Sequence, residues 1–279
     1  MKITVAKSSG FCFGVKRALD IAIKSKNANK TVEMLRNIVH NEDVVKEISR
    51  AGIKKINKLT NGKNKTLIIS AHGISKKIIE KALRLGYEVI DATCPMVKEI
   101  HRTAINAERK GYTVVVIGDT KHDEVQGIIG QLKKKATVVD NINHIPLKTI
   151  KKVNKAAVVV QSTQNLAQTL RIVRILRKYI PELKFYNTIC QPTRTKQKEI
   201  KQLSLENNVI IIIGSRMSAN SKRLYEISKS INKRSYLIQS KNQIKKSWFK
   251  NIKKVGIMAS ASTPEKTTND IVEYIKKLS

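Results

Sequence analysis

The stretch NVIIIIGSRMSANSKRL, residues 208–224, holds the architecture in miniature. Its unbroken run of Val and Ile, with no alternating polar residue, fits a strand buried on both faces of a parallel sheet. A glycine and a polar turn come next, and Ser218 and Asn220 then lead into the helical stretch SKRLYEISKSI. The same order of strand, polar turn and helix recurs along the chain. Further strand-like runs are KITVA (2–6), TLIIS (66–70), TVVVIG (113–118), AAVVVQ (156–161) and VGIMAS (255–260). Helical stretches such as KKIIEKALRLG (76–86) and TTNDIVEYIKKL (267–278) lie among them. Repeated alternation of this kind predicts an α/β fold with parallel sheets.

The chemistry-bearing residues sit just after these runs. KITVA leads to Cys12, TLIIS to His72, and TVVVIG to His122 and Glu124. AAVVVQ leads to Ser162 and Thr163, NVIIIIG to Ser218 and Asn220, and VGIMAS to Ser262. Ligands of parallel α/β sheets bind beyond the carboxyl ends of the strands. Strand tips are polar in any such protein, because the chain turns there in water. Six tips carrying Cys, His, Glu, Ser and Asn point instead to one composite site.

The chain has 279 residues, enough to bury a large core. No apolar run is long enough to span a bilayer. The opening MKITVAKSSG lacks the apolar core and cleavage site of a signal peptide, so a soluble, cytoplasmic protein is expected. Lys and Arg number 55 against 21 Asp and Glu, a formal net charge of +34. Such a field attracts anions and acidic partners. A nucleic-acid binder is the competing reading of the charge. The cations are spread over the whole chain and aromatic residues make up only 4%, leaving few platforms for base stacking. Lysine far outnumbers arginine amid abundant Ile and Asn, which fits compositional drift better than a nucleic-acid surface.

Three cysteines, Cys12, Cys94 and Cys190, divide the chain into comparable thirds and stand in similar punctuation: GFCFG, DATCPMV and TICQPT. Their odd number and wide spacing argue against a disulfide framework. Cys12 precedes a helical stretch, Cys94 is followed by Pro95 and an apolar helical run, and Cys190 is followed by Pro192; a helix N-terminus favours the thiolate that binds metal. Taken singly, a buried structural cysteine is the default. Zinc usually takes four ligands with paired C-x-x-C spacing, absent here. Three thiolates with an open coordination position suit an iron–sulfur cluster. A nucleophilic cysteine requires a nearby histidine, which spacing does not reveal.

Taken together, GFCFGVKRAL, IVHN, SAHG, DATCPMV, KHDEVQG, QSTQ, TICQPT, GSRMSANSKRL and ASASTPE resemble the 4-hydroxy-3-methylbut-2-enyl diphosphate reductases, in the same order and nearly end to end. That resemblance implies three similar α/β domains with parallel sheets, in a pseudo-threefold trefoil around a central cluster. The domains are expected at 1–94, 95–190 and 191–279. It implies one [4Fe–4S] cluster per chain, held by Cys12, Cys94 and Cys190, with the fourth iron open to substrate. The implied reaction removes the hydroxyl from an allylic diphosphate, giving isopentenyl and dimethylallyl diphosphates. Glu124 matches the family's proton donor, with Asp123 beside it as the local competitor. His40 and His72 match diphosphate contacts, and His122 matches a histidine on the hydrocarbon and hydroxyl side. Ser162 and Thr163 match a hydroxyl pair near the alcohol. Ser218, Ala219, Asn220 and Ser262 match further substrate contacts. His101 and His144 match nothing and read as structural or surface residues. The resemblance also implies a ferredoxin or flavodoxin as electron donor, a monomer, and neither nucleic acid nor membrane as partner.

The chain departs from the family pattern in three places. Ala219 stands where a second serine is usual, leaving only its backbone to contribute. Ser260 stands where glycine is common. After Cys190 the chain reads TRTKQ, where an arginine often precedes the glutamine.

Overall fold

Val209–Ile213 forms a strand whose side chains are all buried, alternate residues entering different cores. Val209, Ile211 and Ile213 pack with Ile257, Ile271 and Ile275, while Ile210 and Ile212 pack with Ile200, Leu224 and Met258. Both faces of the strand are therefore covered, as continuous apolar runs require. The computed structural model describes residues 1–26 and 30–278. Its chain forms two compact units, one of residues 1–16, 39–47 and 191–279, the other of 17–38 and 48–190. Among the described residues no helix is long and apolar enough to cross a membrane.

The first unit holds one four-stranded sheet in the order Lys2–Val5, Lys254–Ala259, Val209–Ile213, Ser235–Ile238. The second holds two sheets. One runs Lys54–Ile56, Thr31–Leu35, Lys65–Ile69, Glu88–Asp91, and the other Thr137–Val139, Thr113–Ile117, Lys155–Val160, Glu182–Phe185. Every pairing is parallel. Each sheet in the second unit is laid down in one order: central strand, edge, second central strand, opposite edge. The first unit keeps that order for three strands, and its last place is taken by Lys2–Val5, with Lys2 opposite Lys254. Residues 2–5 thus belong to the sheet of the last third.

All six runs singled out in the sequence are strands. The other strands among the described residues are mostly short edges such as Lys54–Ile56 and Thr137–Val139. Thr31–Leu35 is the exception, a central strand disguised by Glu33. That carboxylate is buried, accepting from the Tyr87 hydroxyl at 2.7 Å and pairing with Lys65 at 3.0 Å.

Two glycines allow the tips of neighbouring central strands to approach. A Cβ on Gly214 meets Ser221 Oγ at 2.3 Å and Ser260 Oγ at 2.6 Å; one on Gly118 meets Val125 Cγ2 at 2.7 Å and Gln161 Cβ at 2.8 Å. Gly214→Ala is expected to cost about 1–3 kcal/mol through overpacking, measured as a lower denaturation midpoint. An unchanged midpoint contradicts the close approach.

Candidate active site

Two kinds of strand tip recur. After Lys65–Ile69, Lys155–Val160 and Lys254–Ala259 the chain makes a four-residue turn closed by a backbone hydrogen bond of 3.1 Å. The donors are Gly73, Gln164 and Thr263, and the acceptors are the carbonyls of Ser70, Gln161 and Ser260. The third residue of each turn is His72, Thr163 or Ser262, three of the expected contacts. The second residue presents its carbonyl to a cysteine. Cys94 N–H donates to Ala71 at 3.0 Å, Cys190 to Ser162 at 3.1 Å, and Cys12 to Ala261 at 3.3 Å. The three cysteines thus hold equivalent places in three sheets, each coming after an edge strand and before a helix. All three are partly exposed, and none is in a disulfide. One soft, deprotonatable ligand per sheet, repeated three times, fits an iron–sulfur group and supplies no fourth cysteine for a closed tetrahedral site.

The second kind of tip ends in a helix cap. After Thr113–Ile117, His122 donates its N–H to Asp119 O at 2.8 Å and caps helix Asp123–Ile129, its Nδ1 accepting from Glu124 N–H at 3.1 Å. This bond leaves the imidazole proton on Nε2 when the ring is neutral. The ring packs edge-on against His72, centroids 5.3 Å apart. Ser218 caps helix Ala219–Ile231, accepting from Ser221 N–H at 3.4 Å. His40 lies beyond Thr31–Leu35, directly before Asn41, whose side chain accepts from Asp43 and Val44 N–H.

Glu124 is a buried acid at one of these tips. It is 2% exposed, and Ser162 donates to both its oxygens: the backbone N–H at 2.6 Å and the hydroxyl at 2.8 Å. Burial pushes its carboxyl up to about 7, against the two Ser162 bonds, and the charge of Asp119 adds to the rise. A carboxyl with its midpoint near neutrality both gives and regains a proton readily. Asp123 is instead engaged in an ion pair with Arg36, which separates the two neighbours: one salt-bridged at the surface, one dry. Ser162, expected beside an alcohol, has its hydroxyl bonded to the acid, while its carbonyl holds Cys190. Thr163 Oγ1 accepts from Gln161 Nε2 at 3.2 Å.

In the first unit several polar atoms at these tips are buried with no protein partner: both amide atoms of Asn220, Ser221 Oγ and Ser262 Oγ. Unsatisfied buried donors are costly, so their presence marks a place for a polar ligand. Ala219 is buried at the start of the same helix and offers only its backbone N–H. The hydroxyl of Ser260 is buried and lies 3.0 Å from that of Thr263, spanning its own turn. His101 is partly buried beside Gly73, and that burial pushes it down to about 4; His144 is exposed. Neither belongs to the cysteine seats or to the helix caps. Sequence reasoning missed Lys196, which is 2% exposed and lies in the stretch TRTKQ, noted only for its departure from pattern. Burial pulls its ammonium down to about 8, opposed by the charges of Cys12 and Glu199.

These features define an α/β protein of three parallel sheets with one cysteine seated at an equivalent tip of each and a dry carboxyl, Glu124, at a polar turn of the second unit. The LytB protein family matches residues 3–276, and the chain belongs to that family. It is 38% identical to the 4-hydroxy-3-methylbut-2-enyl diphosphate reductase of Campylobacter fetus, over 100% of this chain and 98% of that one. The reductase of the same name from Geotalea uraniireducens is 35% identical, again over 100% and 98%. Among solved structures, an (E)-4-hydroxy-3-methyl-but-2-enyl diphosphate reductase, the terminal enzyme of the non-mevalonate pathway, aligns with a TM-score of 0.73 at 36% identity, covering 99% of this chain and 100% of its own. The Plasmodium falciparum E-1-hydroxy-2-methyl-but-2-enyl-4-diphosphate reductase aligns with a TM-score of 0.89 at 28% identity, over 98% and 87%.

Proposed function

We propose that this chain reductively removes the hydroxyl of 4-hydroxy-3-methylbut-2-enyl diphosphate, forming isopentenyl and dimethylallyl diphosphates. Replacing C–OH by C–H with release of water consumes two electrons and two protons. The observation that carries the reading is the threefold seating of Cys12, Cys94 and Cys190, each with its N–H on the carbonyl two residues past a central strand. In this reading each thiolate binds one iron of a [4Fe–4S] cluster. When bound, such a cluster supplies electrons and a Lewis-acidic iron without a protein ligand.

Glu124 supplies a proton, turning a poor leaving group, hydroxide, into water. Its partner Ser162 suits both protonation states, because a hydroxyl donates to a carboxylate and accepts from a carboxylic acid. His122, with its proton on Nε2, orients the hydroxyl end of the substrate. The diphosphate falls to His40, His72, Ser218, Asn220 and Ser262, with Thr163 beside the alcohol. The orphaned amide nitrogen of Asn220 and the hydroxyl of Ser262 donate to phosphate oxygens. The backbone of Ala219, at the N-terminus of a 13-residue helix, adds the favourable end of its dipole. The protein acts as a cytoplasmic monomer, fed by a ferredoxin or flavodoxin whose acidic surface suits a chain of net charge +34. Turnover with either carrier is expected to fall as salt rises; no salt dependence removes the electrostatic part of this reading.

Anaerobic purification followed by iron and sulfide assay tests the function directly. A brown protein with about four irons per chain that consumes the diphosphate supports it; a colourless, iron-free protein that binds DNA overturns it. The pH profile tests the acid. Because Glu124 acts protonated, turnover should fall above pH 7 in a one-proton step. Ser162→Ala removes a hydrogen bond that favours the carboxylate, so the alkaline limb should move to higher pH by on the order of one unit. A limb that stays in place, or moves down, excludes Glu124 as its origin.

A further inference from the structure

Helix Gln191–Glu206 carries two charged side chains that grip the loop leading to Cys12. Lys196 donates from Nζ to three carbonyls: Ser8, Gly10 at 3.1 Å and Ala259 at 3.3 Å. Three ammonium protons meet three acceptors, so the buried cation is fully satisfied. One turn further on, Glu199 accepts from the backbone N–H of Lys7, from Ser8 N–H at 3.0 Å and from the Ser8 hydroxyl. Ser8 is held at its carbonyl by the cation and at its N–H and hydroxyl by the anion. Gly10, at φ +86°, then turns the chain and donates to Ala259 O at 3.2 Å, bringing Cys12 onto Ala261.

The other two cysteines are seated differently. Before Cys94 the turn is closed by Asp91 Oδ1 accepting from Thr93 N–H at 2.9 Å. Before Cys190 it is closed by Thr188, whose Oγ1 accepts from Val160 N–H at 2.8 Å. At the Cys94 seat the Arg17 guanidinium, itself partly exposed, also donates to Thr93 O at 3.3 Å, so neutral or partly solvated groups suffice to build such a seat without a fully buried cation. Burying a full positive charge to do the same work is costly, since the ammonium loses its hydration. A buried charge next to a redox centre instead acts on potential, because net charge and local hydrogen bonding set the potential of iron–sulfur groups.

We propose that Lys196 is a positioning residue whose fixed charge, set behind the Cys12 loop, biases the iron–sulfur group toward its reduced form, with Glu199 as the opposing charge. The inference rests on the cluster reading. Its signature is a pair of shifts of opposite sign. Removing the cation disfavours added negative charge and lowers the reduction potential; removing the anion raises it. Mere loosening of the loop moves both variants the same way.

The experiment is an anaerobic redox titration, followed by absorbance and electron paramagnetic resonance, of the parent, Lys196→Met, Lys196→Arg and Glu199→Gln proteins with iron counted in each. Expected are a more negative potential for K196M, a more positive one for E199Q, and return toward the parent for K196R. Unmoved potentials, or shifts of one sign, overturn the proposal while leaving the cluster reading intact. Should K196M fail to fold, E199Q decides alone: an upward shift supports the proposal, and no shift or a downward one overturns it. An iron-free parent overturns the cluster reading and this inference with it.

Discussion

Glu124→Gln is expected to lower turnover by about 10²- to 10⁴-fold, the usual contribution of a positioned general acid, with iron content unchanged. Gln matches Glu in shape and keeps a carbonyl oxygen for one of the two Ser162 donors, so the buried pair is only partly disturbed. What it lacks is a proton to give at neutral pH. The same variant has a second readout in stability. Glu124 has a folded midpoint near 7, above the ordinary carboxyl value of 4.5. The native state therefore binds this proton more tightly than the unfolded chain. That contribution is fully present below about pH 4.5 and is lost as pH rises through 7. A neutral Gln loses nothing over that window, so the denaturation midpoint of E124Q should gain on the parent between about pH 5 and pH 8. Full activity in E124Q ends the proton-donor assignment; parallel stability curves end the claim that the carboxyl is buried and titrates near neutrality.

The second large effect is at the cysteines. Cys94→Ala should reduce iron content and bring turnover to background while the chain remains folded. Cys94 precedes helix Pro95–Arg109 without capping it through its side chain, and its N–H bond to Ala71 survives the change. Loss of one thiolate from a set of three leaves too few ligands to hold a cluster. Far-ultraviolet circular dichroism separates this outcome from unfolding. A Cys94→Ala protein with full iron and full activity would falsify the three-ligand assignment.

Much of the fold was legible because the relevant signals are local. Val209–Ile213 and Lys155–Val160 announce themselves by composition, and the polar residues at their tips come within a few positions. Edge strands such as Lys54–Ile56 and Glu182–Phe185 carry no such signal; partly solvated, they need no continuous apolar run. Thr31–Leu35 was hidden by Glu33, whose partners Lys65 and Tyr87 come from elsewhere in the chain. Lys196 was hidden among 55 Lys and Arg, since nothing within its own helix distinguishes a buried cation from a solvated one. The exchange that puts Lys2–Val5 into a sheet with Lys254–Ala259 is the least local feature, and neither strand's composition names the other. Ser162 was singled out for the right neighbourhood, but its two bonds to Glu124 depend on a turn brought in from another strand.

That same exchange has a consequence for biosynthesis. Lys2–Val5 leaves the ribosome long before its sheet partner, Lys254–Ala259. Pairing between distant segments is slow to form and leaves intermediates exposed. The sheets carrying Cys94 and Cys190 can close while translation continues. The seat of Cys12 waits for Ala259 and Ala261, so the three cysteines are all seated only once residue 261 has been made. A chain stopped before residue 254 therefore retains the two sheets of the second unit but lacks the carbonyl on which Cys12 is seated.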